Sequence, residues 1–343
     1  MAVIRSWDVK VFSTALKRPF VTALGRKTDT CNVGLTLTLA DGTKGYGEAS
    51  ASLALAHLTP ADLAQRLKSL ARAAVGRDAA QARALAERAW LRHGDAPPAA
   101  AAFECALLDA WTRSQGLTLA AYFGGACTEI ETDITLSAWD PQATGRAAKE
   151  AAGEGFRRFK VKVRGDFAAD FERLRIAATS CRAARLLIDG NQGLTLASAL
   201  KLTEACLKQG WPVDLLEQPL PKTDWKGMAA LTRRCPVPVA ADEMVHSPQD
   251  ALRVAGSRAA SVINIKVAKS GLWRALEIMA IARAAGLKLM IGCMAETAEG
   301  LAPSVHLALG TGLFSFVDLD SDHLLIGRKA RSWKRRGARL SLR

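Results

Sequence analysis

The chain has 343 residues, 49% of them apolar, enough for one large domain or two ordinary ones and unlike the composition of a disordered segment. Its seven cysteines form no C-x-x-C pair, MAVIRSWDVKVF carries charges where a leader needs an apolar block, and even PPAAAAFECALLDAW is broken by Glu104 and Asp109, so a reduced, cytoplasmic protein off the membrane is expected. The net charge of +14 invites a nucleic-acid reading, but no zinc-finger spacing, RNP-like strand or helix-turn-helix accompanies it, and the basic tail RKARSWKRRGARLSLR reads as a strand edge or helix face defended by charge.

The first 50 or so residues alternate in the manner of strands, in VKVF and then VGLTLTLADGTKGYGEAS, where Asp41-Gly42 signals a hairpin. TPADLAQRLKSLARAAV follows with Thr59 as N-cap and Pro60 in the first turn, and AAFECALLDAWTRSQG closes on Gly116, so residues 1–125 are expected to form an α+β domain. Beyond it, short apolar strands alternate with amphipathic segments: DITLS, FKVKV, RLLID, VDLLEQ, VPVAAD, VINIK, LKLMIG and LFSF. Eight strands with helical crossovers predict a parallel sheet closed into a barrel of the (β/α)8 type over residues 126–317. The last stretch, 318–343, is expected to return to the N-terminal domain.

In such barrels chemistry collects where strands end. Asp189 ends RLLID, Glu217 ends VDLLE and Asp242 follows VPVAA, one acid on each of three consecutive strands. Any one of them alone suits a turn or a helix cap. Three in register with no His or Cys nearby suit a hard divalent cation, Mg2+ before Zn2+, because converging carboxylates otherwise repel one another. In FKVKV, Lys160 and Lys162 share one side of a strand that has no solvent face in a closed barrel, and VINIK offers Lys266 across the barrel.

The set KVK, DGNQG, LLEQP, ADE, INIKVAKSG and GCMAE, in this order and spacing, resembles the muconate-lactonizing subgroup of the enolase superfamily over essentially the whole chain. The resemblance implies a (β/α)7β modified TIM barrel with an N-terminal α+β capping domain. It also implies Mg2+ on Asp189, Glu217 and Asp242, with Lys162 and Lys266 as acid and base.

A substrate carboxylate on the metal would let the neighbouring carbon lose a proton through an enediolate. The base must then be a neutral lysine, and Lys160, staying charged, is read as the group that lowers the pKa of Lys162. Bases on opposite faces suit racemisation or epimerisation. Asp318 and Asp320 in LFSFVDLDSDH point the same way along the chain, as a receptor for a substrate cation would require. D-x-D at this place resembles the dipeptide epimerases, which implies a free α-ammonium there and inversion of the α-carbon of the C-terminal residue.

Thr135, Asn191 and Glu296 are taken as further pocket residues. L-Ala-D/L-Glu epimerases are expected to carry an Arg in the capping loop where this chain has Leu24-Gly25, so Arg26 is taken as the substitute, with Lys27 beside it. The partner is a small molecule, a dipeptide, and a homo-oligomer is compatible with the reading. Another subgroup activity (cycloisomerase, o-succinylbenzoate synthase or N-acylamino acid racemase) and a non-catalytic polyanion-binding barrel stand as alternatives.

Overall fold

The structure is a computed structural model that describes residues 2–51, 55, 57–327 and 329–343, so that Arg328 at the head of the basic tail lies outside it. The chain opens with a three-stranded antiparallel sheet, β1 (Ile4–Thr22), β2 (Gly25–Leu39) and β3 (Lys44–Ser50), in the order β1-β2-β3. β1 and β2 continue well beyond the sheet body to pair Thr22 with Gly25, which makes the capping segment a long hairpin.

Three helices follow: α1 (Pro60–Ala74), α2 (Ala82–His93) and α3 (Pro97–Ser114). A capping box between Thr59 and Asp62 starts α1, and its Leu63, Leu67 and Leu70 are buried. The Ala-rich α3 is buried over most of its length and lies directly on β3. Gly45 and Gly47 allow this approach, since a Cβ at Gly47 would come within 1.9 Å of Ala102 O.

After the short α4 (Leu119–Tyr122) and β4 (Glu129–Glu131), the barrel begins. Its strands and helices alternate as β5 (Ile134–Leu136), α5 (Pro141–Gly153), β6 (Arg158–Lys162), α6 (Phe167–Thr179), β7 (Arg185–Asp189), α7 (Leu196–Lys208) and β8 (Val213–Glu217). They continue as α8 (Trp225–Arg234), β9 (Val239–Ala241), α9 (Pro248–Ser257), β10 (Val262–Ile265), α10 (Val267–Ala284), β11 (Lys288–Ile291), α11 (Ala302–Thr311) and β12 (Phe316–Val317). The strands form one sheet in chain order from β5 to β12, parallel at every pairing. Seven strand-helix units and a final strand give the expected (β/α)7β pattern. The two edge strands meet through single bonds: Asp133 N–H donates to Val317 O at 2.9 Å, and Leu319 N–H to Thr132 Oγ1 at 2.8 Å.

Outward side chains such as Phe159, Val161, Leu186, Ile188, Ile263 and Ile291 join the main core under the helices. The alternate, inward side chains form a separate apolar plug of Leu187, Leu215, Ala240, Val262 and Met290 with Phe316. Polar residues stand on top of this plug at the C-terminal ends of the strands.

The chain ends with α12 (Ser321–Leu324), β13 (Trp333–Arg336) and β14 (Arg339–Leu342). The tail divides its contacts. Leu325 bridges to Leu16 and Ile326 N–H donates to Ala15 O on the capping hairpin, whereas β14 pairs with β4, at the foot of the barrel. None of the described helices is long and apolar enough to cross a membrane.

Candidate active site

The register of the barrel brings Lys162 beside Asp189, and Asp189 beside Glu217, on adjacent strands. Lys160 lies one step lower on the same inward face and is 1% exposed. Its Nζ is 2.6 Å from Asp318 Oδ2, 2.8 Å from Glu217 Oε2 and 3.0 Å from Asp189 Oδ2. Burial disfavours this ammonium, yet Asp318, Glu217 and Asp189 together raise its pKa well above the ordinary lysine value. Lys160 is therefore a fixed charge.

Lys162 Nζ sits 2.6 Å from Asp189 Oδ2 and 5.6 Å from the centre of the Phe20 ring, which reaches over from the hairpin. Lys266 follows β10 and lies 2.7 Å from Asp242 Oδ2. In the sheet order three strands separate β6 from β10 in either direction, so the two lysines stand on opposite walls. Burial works against the Lys266 ammonium, but Asp242 outweighs it and the pKa is raised. The sequence argument wanted a base with a lowered pKa. Here Lys266 shares a short ion pair with Asp242, and such a pair has to be opened before the amine can act as a base.

The three acids read as metal ligands are all buried. Asp189 is held down to about 2: burial opposes ionisation, and Lys162 and Lys160 overcome it. Glu217 is pushed up to about 8, first by burial and then by Asp189. Its Oε1 accepts from Asn264 Nδ2 at 2.8 Å, while its Oε2, although close to Lys160, has no aligned hydrogen-bond donor among the described residues. Glu243 Oε2 is likewise buried without a donor among the described residues. Buried carboxylate oxygens are the donor chemistry that a hard divalent cation prefers, although lysines hold all three acids here and their oxygens are not gathered within 4.8 Å of one another as the donor atoms of Cys293, Asp318 and Asp320 are.

A cavity of about 140 Å³ opens above these groups. One wall carries Thr135, Asp318 and Asp320; another, apolar, carries Leu16, Phe20, Leu24, Leu55 and Leu325. Asp320 Oδ2 accepts from Thr135 N–H at 2.6 Å, and its carboxyl is pushed up to about 6 by burial and by Asp318. Asn191 lines the cavity, donates Nδ2–H to Glu243 Oε1 at 3.2 Å and adopts a positive φ of 39°. Glu296 lies behind the wall, 2% exposed, and accepts from Met294 N–H at 2.6 Å.

Arg26 is the expectation that has to be corrected. It pairs with Val21 on the hairpin and is exposed, whereas its neighbour Lys27 pairs with Phe20, faces the cavity and donates to Ala51 O at 2.7 Å. Neighbouring strand residues point to opposite faces, so one of the two must turn outward. Sequence reasoning also passed over Lys269, whose Nζ lies 2.6 Å from Asp242 Oδ1 and 2.7 Å from Asp242 O. It stands in the quoted INIKVAKSG, three residues after Lys266. Asn264 was legible too, by its alternation with Lys266.

Comparison with known proteins agrees with this architecture. Residues 6–124 match the model of the mandelate racemase/muconate lactonizing enzyme N-terminal domain, and residues 143–336 that of the enolase C-terminal domain-like family. An aromatic dipeptide epimerase of Herpetosiphon aurantiacus is 39% identical over 332 residues, covering 94% of this chain and 93% of the relative. A solved mandelate racemase/muconate lactonizing protein from Herpetosiphon aurantiacus superposes with a TM-score of 0.95 at 36% identity, covering 100% of this chain and 96% of the other. A dipeptide epimerase from Enterococcus faecalis V583, solved with Mg and the dipeptide L-Leu-L-Tyr, gives 0.94 at 28% identity, covering 100% and 98%. With both halves matched in order and the strand-end acids and lysines in place, the chain belongs to the mandelate racemase/muconate lactonizing enzyme family of enolase-like proteins.

Proposed function

We propose that the protein is a dipeptide epimerase that inverts the α-carbon of the C-terminal residue by two-base proton transfer. The observation that carries this reading is the pair Asp318 and Asp320 on the wall of the cavity that Lys160, Lys162, Asp242 and Lys266 also line. Paired buried carboxylates suit a substrate ammonium and repel a substrate that is anionic at that end. The relatives named above as dipeptide epimerases support the same class.

Asp189, Glu217 and Asp242 would hold Mg2+, which, when bound, supplies positive charge for the substrate carboxylate as the adjacent carbon is deprotonated. Lys162 and Lys266 then face that carbon from opposite walls, one removing its proton and the other returning one to the far side. Lys160, charged and buried, adds a fixed positive potential beneath them. Asp318 and Asp320 hold the amino end, which sets the distance from that end to the reacting carbon. Among the described residues no arginine lines the apolar wall of Leu16, Phe20, Leu24 and Leu55, and Lys27 beside it donates to Ala51 O, which favours an apolar side chain over that of glutamate.

The test is incubation of an L-Ala-L-Xaa library with the protein and Mg2+ in deuterated water. Deuterium should enter at the α-carbon of the second residue, fastest for apolar side chains. Absence of exchange across the whole library contradicts the assignment. Asp318→Asn together with Asp320→Asn should abolish dipeptide turnover; survival of turnover would favour one of the subgroup's anionic substrates.

A further inference from the structure

Asp133 is a buried acid that the proposed chemistry leaves without a task. It precedes β5 and, by alternation with Thr135, faces into the barrel one step below the cavity wall. Its backbone is fixed at the barrel seam, where Asp133 N–H donates to Val317 O. The side chain is 1% exposed, and neither of its carboxyl oxygens has a hydrogen-bond partner among the described residues. Asp318 Oδ1, which faces it, is also a buried acceptor without a donor among the described residues. Two facing, buried carboxylates cannot both stay ionised without a cation between them, and Lys160 already sits on the other oxygen of Asp318, at 2.6 Å.

We propose that Asp133 is a positioning residue for the ammonium receptor: as a neutral acid it donates its O–H to Asp318 Oδ1, fixing that carboxylate toward the cavity. This rests on the reading of Asp318 and Asp320 as the receptor. The ionisable groups facing Asp133 are Asp318, Asp320 and Lys160, with the Cys293 thiol from the loop after β11 close to the same two acids. Burial, then Asp318 and Asp320, holds the carboxyl of Asp133 well above the usual range, while Lys160 and Lys162 overcome burial to keep Asp318 below it. The one proton of the pair therefore belongs on Asp133. Two ionised acids, Asp318 and Asp320, then face two cations, Lys160 and the substrate ammonium. An ionised Asp133 would add an uncompensated buried charge to that set.

Two measurements on the full-length protein test the inference, and the first needs no substrate. The infrared spectrum at neutral pH should contain a protonated-carboxyl C=O band that is missing in Asp133→Asn; identical spectra in this region overturn the proposal. The second compares dipeptide kinetics. Asp133→Asn keeps a donor and should stay within about twofold of wild type, whereas Asp133→Leu, which leaves Asp318 Oδ1 unpaired, should raise KM at least about tenfold with kcat little changed. Equal behaviour of the two variants, or collapse of folded Asp133→Asn, overturns the proposal. Should Asp133→Leu fail to fold, the infrared band and Asp133→Asn decide. If no dipeptide is turned over at all, the functional reading fails, and the infrared result still reports on the Asp133 proton.

Discussion

At the scale of single residues, the site is a lattice of ammonium–carboxylate pairs in which Lys160, Lys162, Lys266 and Lys269 each have an acid, and three acids share Lys160. Asp242 shows what this does. Lys266 and Lys269 each take one of its oxygens, so its side chain is aimed from two sides and its carboxyl is held well below the usual range against the cost of burial. Of the two, Lys269 also bonds the Asp242 carbonyl and is the more embedded, 3% exposed against 8% for Lys266. That is the contact pattern of a group that orients a ligand rather than one that reacts. Lys269→Met, which keeps the apolar stem, should therefore weaken Mg2+ binding by about 10- to 100-fold, read by calorimetry, and leave the fold intact. Unchanged affinity would show that Asp242 needs no second cation to hold its position.

At the scale of elements, two contacts join the capping domain to itself and to the barrel. α3 lies so close to β3 that Gly47→Ala would force a Cβ to within 1.9 Å of Ala102 O, a clash with backbone that a rotamer change cannot relieve. A loss of at least about 1–3 kcal/mol, seen as a fall in the thermal midpoint, is predicted. The second contact is Glu104 on α3. It accepts from Leu272 N–H and Trp273 N–H, both at 2.6 Å, where α10 is broken by Gly271 at φ 69°, and from Trp90 Nε1–H at 2.7 Å. An acid of one domain thus caps a helix of the other. Burial pushes its carboxyl up to about 7 from the ordinary 4.5, against the bonds from Trp90 and the helix end. The folded state then holds this proton more tightly than the unfolded chain does. The resulting stability is complete below about pH 4.5 and is lost as pH rises through about 7, a change of about 3 kcal/mol. Urea denaturation across that window should show the slope in the wild type and a flatter profile in Glu104→Gln. Equal slopes would place the titration elsewhere. Neither contact could be read from the chain, because each pairs residues far apart in sequence. The start of α1 could be read, since Thr59, Pro60 and Asp62 act within one turn.

At the scale of the whole molecule, the barrel was legible because each strand carries its own signal, a short apolar run with inward and outward alternation, and all but β5 and β11 end in or are followed by an ionisable residue. Register sets Lys162, Asp189 and Glu217 side by side, and Asp242 and Lys266 follow just past the ends of the next two strands, so the order of the five in the chain is also their order around the mouth. The hairpin that covers the mouth follows no such rule. Its register shifts between Ala15 and Phe20, which resets the alternation of β1 counted from VKVF and brings Phe20 opposite Lys27 at the cavity. Its Phe20 rests near Lys162, its Pro19 O accepts from Trp139 Nε1–H at 2.6 Å, and its Leu16 meets Leu325 of the returning tail. Capping domain, barrel and tail all contribute to one cavity, which is why its lining could not be assembled from any one of them.

The central claim is that two lysines act from opposite walls on one carbon. Its most direct measurement is α-proton exchange in deuterated water with Lys162→Ala and Lys266→Ala, each given separately the L,L and the L,D epimer of one accepted dipeptide. Each variant should lose epimerisation by about 10²–10⁴-fold. Each should still exchange the α-proton of a single epimer, the one whose proton faces the remaining lysine, and the two variants should choose opposite epimers. If both variants exchange the same epimer, or either one still interconverts the two, the lysines do not flank the reacting carbon and the account is wrong.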